Sequence, residues 1–326
     1  MKILILAPDI SVSKSERFYH SAYGGFVDDT VPMVKKSLEE KGFETEILHC
    51  SLDLLADLKK REKMLIFNLC DDGFQNITKT EPLVAGVIEL AGFPYTGSDM
   101  FTLALCQHKW LCKELMTANK VRTPRYWLAE SENDLNGIKL DGKLIVKPNF
   151  QDGSIGINLK SVVSTREELE TQVRNIIQRF KEPALVEEFI QGREFSVGIV
   201  GEELMPIMEC HSPNEYNLKS DDVKWANSVG AHGGLRVEFG KIEPRLEKEL
   251  KRNALIMKRV MGCRDYMRFD FRVDSKGRSY MIDINPNPGL DSESSLSLMA
   301  KKRGWSYSDL IYNILKSALK RYEKEA

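Results

Sequence analysis

The stretch Met267 to Gly289, MRFDFRVDSKGRSYMIDINPNPG, constrains the fold of this chain more than any other. Two runs, Tyr266 to Val273 and Ser279 to Ile284, flank Asp274-Ser275-Lys276-Gly277. Alternating strands around a turn sequence predict an antiparallel β-hairpin. Asp283 and Asn285 stand two apart, so their side chains leave the same face of one strand, and Asp270 can meet them across the pair. Hard oxygen donors on a rigid hairpin suit Mg²⁺, which takes a few carboxylates together with phosphate oxygens. Arg268 shares the face of Asp270 and is placed to reach a developing oxyanion. A half-exposed sheet with solvated acids shows the same alternation. Against that reading stands Asn285-Pro286-Asn287-Pro288-Gly289, whose two prolines fix φ and shape a loop.

The remaining elements place this hairpin near the end of a three-part chain. Lys2 to Ala7 reads as a buried strand, Asp28 to Glu40 as a helix, Phe43 to Leu48 and Met64 to Leu69 as strands, and Leu83 to Leu90 as a helix. Alternating strands and helices indicate a parallel sheet over residues 1–98. A second unit, 99–183, holds a long helix from Thr102 to Asn119 and strands at Arg125 to Leu128 and Lys143 to Lys147. Thr165-Arg166-Glu167-Glu168 then forms a capping box that opens a helix running to Phe180. A third unit, 184–326, holds strands at Ala184 to Glu188, Glu194 to Val200 and Glu203 to Glu209. A polar stretch, His211 to Gly234, follows, then a helix from Arg245 to Met261, the hairpin and a basic final helix.

Composition narrows the function classes. The 326 residues carry 47 basic against 48 acidic side chains. Near neutrality argues against a dedicated nucleic-acid or membrane-surface protein. None of the six cysteines forms a CxxC pair, so reduced, buried thiols are expected. The start, MKILILAPDI, lacks the long apolar stretch of a signal peptide, and no run approaches a membrane span. The expected location is the cytoplasm.

Two further segments carry chemistry. Lys147-Pro148-Asn149-Phe150-Gln151-Asp152-Gly153-Ser154-Ile155-Gly156 follows a strand, and its glycines allow backbone N–H groups to close on a phosphate. Glu187, Phe189, Ile190 and Glu194 lie in a strand-and-turn segment whose acids can meet an adenine amine and a ribose hydroxyl, or remain solvated. Gly137 to Lys143 nearly spells a P-loop, but Leu144 stands where Ser or Thr would touch Mg²⁺, and the segment precedes a strand instead of following one.

Taken in order, these segments resemble the ATP-grasp superfamily, specifically its D-alanine–D-alanine ligase branch. Phe67-Asn68-Leu69 and Phe93-Pro94-Tyr95-Thr96-Gly97-Ser98 add to the likeness, which runs from Met64 to Leu298. The resemblance implies an α/β and α+β chain: an N-terminal Rossmann-like pre-ATP-grasp domain followed by a two-lobed ATP-grasp fold. It implies ATP and Mg²⁺ (or Mn²⁺) as cofactors and an ADP-forming ligation of two amino acids through an acyl phosphate. It further implies small amino-acid-like substrates and a homodimer formed through the N-terminal lobe, with no nucleic-acid or membrane partner. Lys109 and Lys147 resemble lysines that hold ATP phosphates. Ser154 sits in the phosphate-covering loop, and Lys219 in the polar stretch that resembles a lid. Glu187 resembles the adenine-contacting acid, Phe189 and Ile190 the backbone beside the base, and Glu194 the ribose acid. Arg268 would steady the tetrahedral intermediate, and Asp270, Asp283 and Asn285 resemble the metal ligands. Gly289 and Ser294 fall where the second substrate is held, and Glu16 matches the acid that reads the first amino acid's ammonium.

The departures concern the first substrate. Leu69-Cys70-Asp71 stands where the family has Leu-His-Gly, and Gly153 stands where it has a serine. Two other readings stay open: an ATP-grasp ligase for a non-amino-acid carboxylate or amine, and a non-catalytic ATP-binding regulatory protein.

Overall fold

Strand β1 (Lys2–Ala7) is apolar on both faces and buried from Ile3 onward. Such a strand belongs inside a sheet covered on both sides. In the computed structural model, which describes residues 1–9, 29–220 and 234–325, β1 is the middle of a parallel sheet between β2 (Glu44–His49) and β3 (Leu65–Asn68). Its two faces feed two cores. Ile3 and Ile5 pack with Val34 and Leu38 of helix Thr30–Glu40, while Leu4 and Leu6 pack with Val84 and Ile88 of helix Glu81–Ala91. Burying each such side chain contributes about 1.5–3 kcal/mol. The last helix, Tyr307–Glu325, returns to this first sheet and sets Leu310, Ile311 and Ile314 into the Ile3–Ile5 core.

The middle of the chain forms an antiparallel sheet of β4 (Tyr126–Ala129), β5 (Leu144–Pro148), β6 (Val162–Val163) and β7 (Ala184–Glu188), in the order β4-β7-β5-β6. Helix Arg166–Phe180 covers one face through Leu169, Val173 and Ile176. The predicted capping box is formed: Thr165 accepts from the Glu168 N–H while the Glu168 carboxylate accepts from the Thr165 N–H. A cap of this kind is typically worth about 1 kcal/mol.

The third sheet holds β8 (Arg193–Val200), β9 (Glu203–Leu204), β10 (Met208–His211), β11 (Arg236–Glu238), β12 (Tyr266–Val273) and β13 (Ser279–Asn285). Its order is β11-β10-β8-β12-β13, with β9 also on β8. Parity on its two central strands decides everything that follows. Phe195, Val197, Phe269 and Phe271 face helix Pro244–Met261 and pack on Leu250, Ala254 and Met257. Glu194, Ser196, Arg268, Asp270 and Arg272 leave the opposite face.

Several expectations are corrected. The helix expected from Thr102 to Asn119 is two helices, Met100–Gln107 and Lys109–Ala118, broken at His108. Asn149 makes the break: its carbonyl accepts from the Lys109 N–H and its side-chain oxygen from the Trp110 N–H. The strand expected from Glu203 to Glu209 is interrupted at Pro206, which cannot donate to a ladder. Helices Leu54–Lys59 and Ser295–Arg303 and strand β11 were not expected. All six cysteines are buried and unbridged. Among the described residues, no helix is long and apolar enough to cross a membrane.

Candidate active site

The polar face of β8 and β12 opens into a cavity of about 720 Å³ that is lined by residues of the second and third sheets and by Pro8 and Leu69, just past the ends of β1 and β3. Its floor is the predicted hairpin. Asp270 stands directly opposite Asp283, and Arg268 opposite Asn285. The register shifts after Asp270, so Ile282 is an extra residue on β13, a bulge beside the acids. Arg268 grips Asp270 through Nε and Nη2 at 3.0–3.2 Å, and Ser196 donates to the same carboxylate at 2.6 Å. Burial alone would raise the Asp270 pKa, but Arg268 and Lys219 outweigh it and hold the group well below the usual carboxylate range. Asp283 lies 3.0 Å from the Lys109 ammonium, which also meets Asp152 at 3.1 Å. Burial opposes the charge on Lys109, yet these two acids raise its pKa and keep it protonated.

A second cluster lies on one face of the β5–β7 pair, against helix Lys109–Ala118. Glu187 is buried between two lysines, 2.6 Å from Lys147 and 3.1 Å from Lys113. One carboxylate cannot neutralise two ammonium groups. Burial, with Lys147 adding repulsion, lowers Lys113 to about 8 against the attraction of Glu187. For Glu187 itself, burial is outweighed by the two lysines and its pKa falls. The carboxylate matched by resemblance to an adenine contact is therefore engaged with the lysine matched to the phosphates.

The glycine loop lines the same cavity. Gly153 and Ser154 both take positive φ, at 65° and 70°. Gly156 is also left-handed, and a Cβ there would meet Phe180 and Pro148 at 2.8–2.9 Å. Ser154, Phe189 and Ile190 all line the cavity. Glu194 is held from two sides, by Lys219 at 2.9 Å and Arg272 at 3.2 Å. Burial works against Lys219's charge, but neighbours including Glu194 and Asp270 raise its pKa.

The far wall carries the expected substrate positions. Gly289 and Ser294 line the cavity, and the Ser294 hydroxyl caps helix Ser295–Arg303 by accepting from the Ser297 N–H. The Asn285–Gly289 loop is pinned: Asn285 accepts from the Asn287 N–H at 3.0 Å, Asn287 donates to Glu81 at 2.6 Å, and the Pro286 carbonyl accepts from Ser98. Burial pushes the Glu81 carboxyl well above its usual range. Cys70, which replaces the family histidine, turns away: its thiol is fully buried and donates to the Ala7 carbonyl at 3.3 Å. Leu69, Asp71 and Asp72 line the cavity at that point. Glu16 lies outside the described residues.

Sequence reading missed Lys113, Asp152, Ser196, Glu81 and Arg272 as site residues. Two had a visible signal: Arg272 continues the alternation Arg268-Asp270-Arg272, and Lys113 follows Lys109 by one helical turn. Ser196 lies opposite Asp270 only because β8 pairs with β12, a register that spacing cannot give.

The residues present fit a hard divalent cation. Two ionised carboxylates and an amide oxygen leave one face of a rigid pair. Among the described residues, no three His, Cys, Asp or Glu side chains gather as an all-protein metal cluster. Mg²⁺ characteristically leaves positions for water and phosphate oxygens, so a partial protein set suits it.

Comparison with known proteins agrees with this geometry. The family described as D-ala D-ala ligase C-terminus matches residues 119–316. An uncharacterized protein, y4sG, of Sinorhizobium fredii is 32% identical over 305 residues, 89% of this chain and 87% of that protein. D-alanine–D-alanine ligase of Pseudoalteromonas translucida is 29% identical over 242 residues, 72% of this chain and 75% of the relative. The crystal structure of D-alanine–D-alanine ligase from Bacillus anthracis complexed with ATP covers 100% of both chains with a TM-score of 0.75 at 20% identity, a likeness of fold. The chain therefore belongs to the D-alanine–D-alanine ligase family of the ATP-grasp superfamily and is an ATP-dependent ligase.

Proposed function

We propose that this protein joins two amino acids in an ADP-forming reaction that passes through an acyl phosphate. The observation that carries the reading is the hairpin: Asp270 opposite Asp283, Arg268 beside them, and Lys109 and Lys147 facing the same cavity. A substrate carboxylate attacks the γ-phosphate of ATP, giving the acyl phosphate and ADP. The amine of the second substrate then attacks the acyl carbon, and inorganic phosphate leaves. Asp270, Asp283 and Asn285 would hold Mg²⁺, which when bound neutralises phosphate charge, the main demand of phosphoryl transfer. Lys109 and Lys147 bind and orient the phosphates. Ser154 and its neighbours in the glycine loop cover them and exclude water, against which an acyl phosphate must be guarded. Arg268 faces the oxyanion of the tetrahedral intermediate, where one such donor is typically worth about 3 kcal/mol. Phe189, Ile190 and Glu194 receive the base and ribose. Gly289 and Ser294 flank the second substrate, and Glu16 meets the first amino acid's ammonium.

Asp71, Asp72, Asp291 and Glu293 line the same cavity, an acidic wall that suits amine-bearing substrates. The wall also favours a second reading, a carboxylate joined to a cationic amine that is not an amino acid. An ADP-release screen across pairs of D- and L-amino acids and across simple polyamines, with mass analysis of products, tests both. A dipeptide mass supports the main reading. ADP release with polyamines alone favours the second, and no substrate-dependent ADP from either panel contradicts both.

A further inference from the structure

We infer that Arg272 is the positioning residue that builds the base-and-ribose end of the nucleotide pocket by tying the segment after β7 to the root of the polar segment after β10; the inference rests on the nucleotide reading above. A guanidinium has five N–H donors in a planar fork. Arg272 is buried, and its five donors have five partners. Nε donates to the Ile190 carbonyl at 2.6 Å. Nη1 donates to the Glu194 carboxylate at 3.2 Å and the Asn217 carbonyl at 3.0 Å. Nη2 donates to the carbonyls of Gly192 at 3.2 Å and Tyr216 at 2.7 Å. The plane also lies over the Phe189 ring, 4.9 Å from its centroid.

Apart from Glu194 on β8, these partners belong to two segments distant in sequence. Ile190 and Gly192 sit in the turn between β7 and β8, and Tyr216 and Asn217 in the stretch that leads to Lys219. The seam has further ties. Asn217 donates to the Gly192 carbonyl at 3.3 Å, Gln191 donates to the Glu215 carbonyl at 3.1 Å, and the Phe189 and Tyr216 rings meet edge to face. Gly192 is packed so closely on β12 that a Cβ would lie 2.0 Å from the Val273 carbonyl. Arg272 also holds one oxygen of Glu194 while Lys219 holds the other. The base platform, the ribose acid and the Lys219 segment are thus set by one side chain that lines the same cavity. A fully satisfied buried network of this kind fixes geometry.

The test separates the two ends of the nucleotide. ADP carries base, ribose and phosphates; inorganic tripolyphosphate carries phosphates alone. Dissociation constants for both, with Mg²⁺, are measured on wild type, Arg272→Met and Arg272→Lys, with melting recorded for each. Loss of positioned hydrogen bonds weakens ADP binding by roughly ten- to a hundredfold in Arg272→Met, while tripolyphosphate binding changes by less than about threefold. Lysine, a point charge without the fork, leaves most of that loss in place. Equal weakening of both ligands, no weakening of ADP, or full recovery with lysine overturns the inference. Hydrogen exchange on the wild type needs no stable variant: ADP is expected to protect residues 189–192 and 214–218 together, and protection of only one segment overturns the coupling. A wild type that binds ADP no tighter than tripolyphosphate overturns the nucleotide reading itself, an outcome distinct from tight ADP binding that Arg272→Met leaves unchanged.

Discussion

The hairpin floor and the wall at the end of β3 face the same cavity but were built on different terms. On the floor and in the cluster beside it, charges are paired: Arg268 with Asp270, Lys109 with Asp283, and Lys147 and Lys113 sharing Glu187. On the wall, the family's histidine position holds Cys70, whose thiol faces away, and the surface is made instead by Leu69, Asp71 and Asp72. On the proposed reading, the floor serves ATP and charge transfer, where the family pattern holds, and the wall meets the first substrate, where this chain departs from that pattern. Changes on the floor should therefore cost catalysis with any substrate, and changes on the wall should alter which substrate is used.

The largest effect is expected from Asp283→Ala, which removes a carboxylate proposed to hold the metal and leaves Lys109 with Asp152 as its remaining acid. ADP formation falls to background while circular dichroism remains native; retained activity contradicts the assignment of the floor. Arg268→Met comes next. It lowers kcat by roughly 10²- to 10³-fold, as loss of one oxyanion donor does elsewhere. Because Arg268 also partners Asp270, the urea midpoint of this variant is measured alongside, and a kcat loss that merely tracks unfolding counts against an oxyanion role.

A smaller effect separates stability from catalysis. Lys113 is lowered to about 8 by burial and by Lys147, against 10.5 for a free lysine. Between those values the unfolded chain binds the proton more tightly than the native one, so this group's contribution to stability rises as pH rises from about 8 to 10.5. Below about 8 the penalty for charging it is fully present. Urea midpoints across that window should show this rise in the wild type and lose it in Lys113→Met; an identical slope in both proteins assigns the rise to other groups. The smallest change belongs to the wall: Cys70→Ala costs about 1 kcal/mol of stability or less and leaves kcat near wild type, because the thiol does not reach the cavity. Asp71→Asn, one residue on, should instead shift substrate preference in the same ADP-release screen, and equal indifference at both positions would remove the contrast between wall and floor.

Much of this was legible in the sequence, and the reason is local. The hairpin was readable because period-two alternation and a turn sequence specify it within a few residues, and the same parity put Arg268, Asp270, Asp283 and Asn285 on one side. The capping box at Thr165 and the glycine loop at Gly153 are local in the same way. What was not legible depends on contacts between distant segments. The break at His108 carries no glycine or proline; it exists because Asn149, distant in sequence though in the same unit, takes up the N–H groups of Lys109 and Trp110. Lys113 could be seen as a lysine on a helix, but its burial against Glu187 needs β7 to arrive beside that helix. The five partners of Arg272 come from positions 190 to 217, assembled only once β8 pairs with β12. The break in the strand at Pro206 was legible and was missed, since a proline inside a run cannot donate to the ladder.

The most direct measurement is a crystal structure grown with ADP and Mn²⁺, with anomalous diffraction collected to locate the ion. The expected result is a Mn²⁺ peak held by Asp270, Asp283 and Asn285 against the diphosphate, with Lys109 and Lys147 turned to the phosphates. A diphosphate bound away from this hairpin, or an ion liganded by other side chains, would contradict the account.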